Sequence, residues 1–393
     1  MAQDNTIQSS EQPPAQPSYV LRGHSAQIHA VHFFRDNTRL VTGDADGFVV
    51  IWSTASKRAV AVWKPHSTTI VGLASWNDDK IISHGRDNKL LVWQLPGNAE
   101  SDCSTILPID DAEIERKQPW LLHSLRVNAW NFCSFTSIVL KPDGHNDLPA
   151  EGILVATPGV QDGHVNVTCL PDEQRIATIP APQDVKTGMV MAIGLQFQPN
   201  GRSMPINELL VIAGYESGLA CIWQQEGATR KWNLVYTQKH HSQPILSLNI
   251  SPSQSCFFTS SADAVVARHT FGNSPTPAKI VQTKHAGQQG LVVRNDEKIL
   301  ATAGWDARVR VYSVKTMKEL AVLKWHKEGC YALAFAKVGT GVESSRGEDG
   351  KGKSSEVEEG ERTVSERRAL AARTTHWLAV GSKDGKVSLW EIY

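Results

Sequence analysis

The side chains best able to do chemistry in this 393-residue chain are fourteen histidines and a set of recurring aspartates. A histidine beside a carboxylate and a hydroxyl is the raw material of a nucleophilic relay, or of a zinc site if further donors converge. His24, His66, His241 and His285 each stand 21 or 22 residues before an acid, respectively Asp46, Asp87, Asp263 and Asp306. His123 and His326 are read as holding the same place before Asp162 and Asp384, across longer internal spacings. Ser217 fills the acid position in one further unit. Six residues after that position come Trp52, Trp93, Thr168, Trp223, His269, Tyr312 and Trp390. Four residues before it a hydroxyl recurs, as Thr42, Ser83, Thr259 and Thr302.

Catalysis is a poor fit to this pattern. There is no G-x-S-x-G elbow, since GYESG at 214–218 has the wrong spacing, and no G-x-x-x-x-G-K-[ST] phosphate loop. The adjacent pair His240–His241 lacks cysteine or carboxylate ligands at fixed spacing, and His29 and His32 lack the i, i+4 spacing of a helical metal pair. No catalytic residue, metal or cofactor is expected. The recurring residues instead suit a chain of hydrogen bonds, indole to hydroxyl to imidazole to carboxylate, that ties a tight turn to the strands beneath it. Two units carry all four members: His24, Thr42, Asp46, Trp52 and His66, Ser83, Asp87, Trp93.

The elements that must position such tetrads are short strands. LVTGDADGFVVIW (40–52), IISHGRDNKLLVW (81–93) and LAVGSKDGKVSLW (378–390) are pairs of apolar runs flanking a turn. Successive turn positions are 41, 75, 55, 46, 43 and 78 residues apart, four of them near the ~40–45-residue period of WD40 blades. The two long gaps contain polar, strand-poor stretches and are read as insertions near 95–118 and 338–374, with a further polar stretch at 141–152. The second insertion reads as a solvated, mobile loop, preferred over the alternative that its ERRALAAR stretch forms a short helix on a partner. Seven units result. The last stops after its third strand at VSLWEIY, while SYVLRGH (18–24) is an orphan β-segment ahead of the first histidine. The prediction is therefore an all-β, seven-bladed WD40 β-propeller over 18–393, closed by an N-terminal strand that completes the last blade, after a disordered leader at 1–17.

With 40 basic and 40 acidic side chains, the chain projects no broad field toward nucleic acid or an anionic membrane, so neither is expected as a direct partner. The N-terminus has neither the basic nor the apolar region of a secretory signal, and six scattered cysteines without a C-x-x-C pair suit a reducing compartment. What remains is surface. Residues just before the turn position are expected on the propeller rim, and Arg86, Glu216, Trp305 and Lys383 are the candidate partner-binding side chains. WDAR at 305–308 looks like the W-D-x-R motif of cullin–RING substrate receptors, but it precedes the third strand RVRVY instead of following it.

The stretches YVLRGHSAQIHAVHF, QPWLLHSLRVNAWNFCSF, VIAGYESGLACIW and LAVGSKDGKVSLWEIY resemble the fungal ASTRA-associated protein 1 family, whose animal counterpart is guanine nucleotide-binding protein subunit beta-like protein 1. The discriminating pieces are NAWNFC, the degraded GYESG unit and the ending WEIY. The resemblance implies a non-catalytic scaffold subunit of the ASTRA complex, linked to chromatin remodelling and to maturation of phosphatidylinositol-3-kinase-related kinases. Its implied partners are a giant kinase-like subunit, RuvB-like ATPases and the TTT co-chaperone proteins. Its implied location is the nucleus, with the cytoplasm second. The competing functions are a G-protein-β-like signalling subunit and a cullin–RING substrate receptor. The first needs an N-terminal coiled-coil helix, and residues 1–17 contain Pro13, Pro14 and Pro17 without a heptad. The second needs the motif that is misplaced here.

Overall fold

Each apolar run alternates between facing blades, and each Asp/Gly turn reverses the chain, so every unit folds as an antiparallel meander. In the computed structural model, which describes residues 15–128, 132–140, 152–197, 209–226, 231–271, 279–339 and 363–393, these meanders form seven four-stranded sheets. They are the blades of an all-β propeller. Closure is by strand exchange between the two ends of the sequence: Tyr19–Arg22 pairs antiparallel with Lys386–Glu391, from Tyr19 opposite Leu389 to Arg22 opposite Lys386. That strand is the outermost of blade 7, whose inner strand is Cys330–Phe335. The first fourteen residues of the expected leader lie outside the described residues, as does most of the polar stretch 141–152.

Blades pack face to face through apolar clusters made of residues from neighbouring sheets, such as Ile28, Val31 and Val50 of blade 1 with Ala332, Ala379 and Val387 of blade 7. One device recurs at these seams. A β-carbon on Gly43, Gly214 or Gly381 would lie 2.8, 2.8 and 2.6 Å from Ile70, Ile245 and Ile28, each the first residue of the next blade's inner strand. Only glycine lets the sheets approach so closely there.

The inner strands share a second device. Six of them carry a bulge one residue from their start, in blades 1, 2, 4, 5, 6 and 7. The residues left out of the ladder are His29, Val71, Met191, Leu246, Gln289 and Tyr331. A bulge re-aims its extra side chain, and these six point into the mouth of the central channel. The described inner strand of blade 3, Thr136–Val139, runs in register without a bulge, and Phe132 and Ser134 occupy the mouth instead.

The two long gaps hold insertions; residues 340–362 of the second lie outside the described residues, and the described parts of both make specific contacts. Residues 95–119 separate the third strand of blade 2, Lys89–Gln94, from its fourth, Trp120–Arg126, and cross the outer edge of blade 1 as a belt. The Val62 amide donates to the Ser104 carbonyl at 2.8 Å, and buried Glu100 pairs with Arg35 and Arg39. The other insertion leaves blade 7 after Phe335. Asn37 donates to the Lys337 and Arg373 carbonyls at 2.7 and 3.1 Å and accepts from the Lys337 amide at 2.8 Å, while Asn295 grips Val338 in the same reciprocal way. The insertion returns as a helix, Val364–Thr374, where a solvated loop is expected. Thr363 and Glu366 form a capping box that satisfies its first amides, a signal that the Glu-rich composition upstream conceals.

Candidate functional site

The histidine relays are built as expected in blade 2. The Trp93 indole donates to Ser83 Oγ at 3.0 Å, the hydroxyl meets His66 Nε2 at 2.9 Å, and His66 Nδ1 meets Asp87 at 2.9 Å. Burial lowers the His66 pKa, against the raising effect of Asp87, so the ring sits as a neutral link. Blade 5 lengthens the chain: Tyr236, His269, Thr259, His241 and Asp263 are joined in series at 2.8, 2.9, 2.8 and 3.2 Å, with His269 in the tryptophan position. His240 does not join its neighbour in any ligand set, and packs against the His269 ring at 5.3 Å.

Elsewhere the structure corrects the alignment. In blade 1 the acid is Asp44 and not Asp46. His24 meets Asp44 Oδ2 and Thr42 Oγ1, both at 2.7 Å, and Trp52 donates to Thr42 at 2.9 Å. Residues two apart on a strand share a face, so Asp44 faces the same side as Thr42, while Asp46 is exposed in the turn. His123 is not in a repeat position: it lies in the outer strand of blade 2 and pairs with Glu173 at 2.9 Å. His285 is half-exposed and 3.7 Å from Asp306; Thr302 donates instead to buried Gln288, and Arg310 takes the acid. In blade 7 the hydroxyl comes from the third strand, where Ser388 links Trp390 to His326, each at 2.8 Å. Burial alone would raise the Asp384 pKa, but His326 and Lys386 hold the carboxyl down at about 2.

In the relays of blades 1, 2, 5 and 7 the hydroxyl and imidazole are buried, and each relay ends on a carboxylate in the turn or on the strand end beside it. The accessible chemistry is on the face that carries the turns. There the channel opens as a cavity of about 330 Å³, ringed by the six bulge residues. His29 and Tyr331 stack at 5.2 Å, and burial holds His29 below its ordinary pKa. Trp305 is 49% exposed and aimed by a 3.0 Å bond from its indole to Gln289, one of the bulge residues. Its ring lies over Gly287, which has φ +76°, so any side chain at 287 would evict it. On the far side Arg86 lies 4.0 Å over the Phe132 ring, itself 55% exposed. Trp305, Tyr331, His29, Arg86 and Phe132 thus make an arc of π faces and one cation from blade 6 round to blade 3. Such side chains dominate interface energetics.

Two segments, 15–53 and 232–267, match the family model described as WD domain, G-beta repeat. Over nearly the full length the chain is similar to ASTRA-associated protein 1 of Aspergillus niger, 43% identical across 97% of this chain and 98% of that one. It is 45% identical to the protein of that name from Verticillium alfalfae, across 96% and 93%, and 30% to that of Schizosaccharomyces pombe, across 96% and 99%. The chain belongs to the ASTRA-associated protein 1 family.

Of the four rim residues anticipated from the turn position of the repeat, Arg86 and Trp305 fall in the arc. Glu216 is spent locally, accepting the Met189 amide at 3.1 Å, and Lys383 reaches Glu328 at 3.7 Å on the exposed rim. His29, Tyr331 and Phe132 were missed. For the first two a signal existed: each is the second residue of an inner strand, after a buried anchor, Ile28 or Cys330. Phe132 belongs to NAWNFC, of which Ala129–Asn131 lie outside the described residues.

Proposed function

We propose that this protein is a non-catalytic scaffold subunit of the ASTRA complex, and that the aromatic arc on the turn face is a docking surface for other subunits. The observation that carries the reading is the arc itself, preformed by bulges and by the Trp305–Gln289 bond, on a chain similar end to end to proteins named for that assembly. Preformed side chains lose little conformational entropy on binding. The partners are then the giant kinase-like subunit, the RuvB-like ATPases and the TTT co-chaperone proteins. The work served is chromatin remodelling and maturation of phosphatidylinositol-3-kinase-related kinases, in the nucleus and secondarily in the cytoplasm.

Affinity purification of the tagged protein followed by mass spectrometry tests the reading. Wild type should retain these subunits through a salt wash. Trp305→Ala, alone or with Arg86→Ala, should lose at least one of them by roughly 30-fold, the scale of a hot-spot residue. A small γ-like subunit or a cullin adaptor in their place would overturn the assignment while leaving the propeller intact.

A further inference from the structure

The belt over blade 1 lies outside the four-stranded sheets, yet specific contacts pin it to them. Its hub is Arg116, 7% exposed, whose guanidinium lies 5.1 Å over the Phe48 ring. That one group donates to the Ile106 and Ile114 carbonyls at 3.0 Å, to Leu107 at 3.3 Å, and to Asp111. Leu107 plugs the space above Gly23 and Trp52, and the Ile109 amide donates to the Gly23 carbonyl at 3.0 Å. The consequence is a compact knob that turns three isoleucines outward: Ile106, Ile109 and Ile114 are 41%, 58% and 39% exposed.

A buried arginine that gathers four carbonyls while three branched apolar side chains face water is a poor arrangement for an idle loop. The same segment decides the sign of what could cover it. Asp102, Asp110, Asp111, Glu113 and Glu115 are all exposed around the isoleucines, and Lys117 is the one exposed base between 101 and 118. Phosphate backbones and anionic lipid surfaces carry the wrong charge. We infer that the belt knob at 104–117 is a second docking surface, for a protein segment that interleaves lysine with apolar side chains. This extends the scaffold reading and rests on it. The isoleucines supply desolvation, the carboxylates register and steering, and Arg116 and Glu100 hold the surface in shape before the partner arrives.

The test uses the full-length tagged protein with its co-purified partners. Carbodiimide coupling joins carboxylates directly to lysines in contact, and mass spectrometry locates the joined peptides. Links from Asp110, Asp111 or Glu113 to a segment of one partner in which bases alternate with apolar residues are expected. Ile109→Glu with Ile114→Glu should reduce recovery of that partner at least about tenfold and leave the melting temperature and the other partners unchanged. Asp110→Lys with Glu113→Lys should weaken the same partner while leaving the isoleucines in place, whereas Trp305→Ala should spare it. Links between belts of two copies, links to segments without that alternation, no links at all, or full recovery with both double variants would overturn the inference. If the wild type retains no partner, the scaffold reading fails, and this inference falls with it; loss confined to the belt partner separates the two.

Discussion

Blades 2 and 4 occupy equivalent places in the ring and are held together by different physics. In blade 2 a polar chain runs through the sheet from Trp93 to Asp87 and ends on the turn, so the turn is keyed to a buried histidine. Blade 4 keeps the tryptophan alone. Trp223 packs with Tyr215, Cys221 and Val211 in the apolar cluster that joins blades 3 and 4, and its indole N–H faces the buried Tyr215 hydroxyl without a bond of hydrogen-bond geometry. Ser217, at the acid position, has no partner for its hydroxyl. The same volume is filled once by a satisfied network and once by packing. Blade 4 therefore depends on packing that offsets its unbonded indole and hydroxyls, a cost that the complete network of blade 2 avoids.

The difference can be probed from its largest consequence downward. Trp93→Ala and Trp223→Ala should each cost about 3–5 kcal/mol, because both empty a tryptophan-sized space. A loss below about 1 kcal/mol at Trp223, measured by urea unfolding, would mean that blade 4 is not held by packing. Removing the acid should then separate the two kinds of blade. Asp87→Ala, and Asp44→Ala in blade 1, should cost about 1–3 kcal/mol by orphaning a buried imidazole. Ser217→Ala and Asp46→Ala should stay within about 0.5 kcal/mol. If Asp46→Ala proved the costlier of the two blade 1 variants, the assignment of Asp44 to the relay would be wrong.

Acid sharpens the contrast further. Asp384 ends the relay of blade 7 with its pKa lowered from 3.8 to about 2. A depressed carboxylate stabilises the fold fully above its unfolded pKa. That contribution, about 2 kcal/mol, disappears as the pH falls from about 3.8 through 2. Asp384→Asn should flatten this part of the stability profile, whereas Ser217→Ala should leave it unchanged. The smallest expected effect is the difference between two conservative variants. Trp93→Phe should cost about 1 kcal/mol more than Trp223→Phe, since only Trp93 donates a hydrogen bond. Equal costs would show that the indole–hydroxyl bond of blade 2 adds nothing net.

The number of blades, their order and the exchange that closes the ring were legible in the sequence, because they rest on local signals: strand-length apolar runs, Asp/Gly turns, and a unit short by one strand at one end with a spare strand at the other. The blade 2 relay was legible for the same reason. Asp44 was not, since a fixed four-residue offset from the hydroxyl selects Asp46, and only the two-residue period of a formed strand shows that Asp44 faces His24. Ser388 was hidden likewise, because a hydroxyl on the third strand reaches the imidazole only after the strands have paired. Arg86, Trp305 and the insertion near 95–118 could be placed beforehand, but the joining of the arc and the shape of the belt belong to the tertiary structure. Bulges decide which inner-strand side chain leaves the ladder, and Arg116 becomes a hub because its own loop curls four nearby carbonyls onto it while blade 1 supplies the Phe48 ring. Sequence determines what is periodic along the chain; contact between residues far apart in it exists only once the ring has closed, and there the surfaces that could hold partners are made.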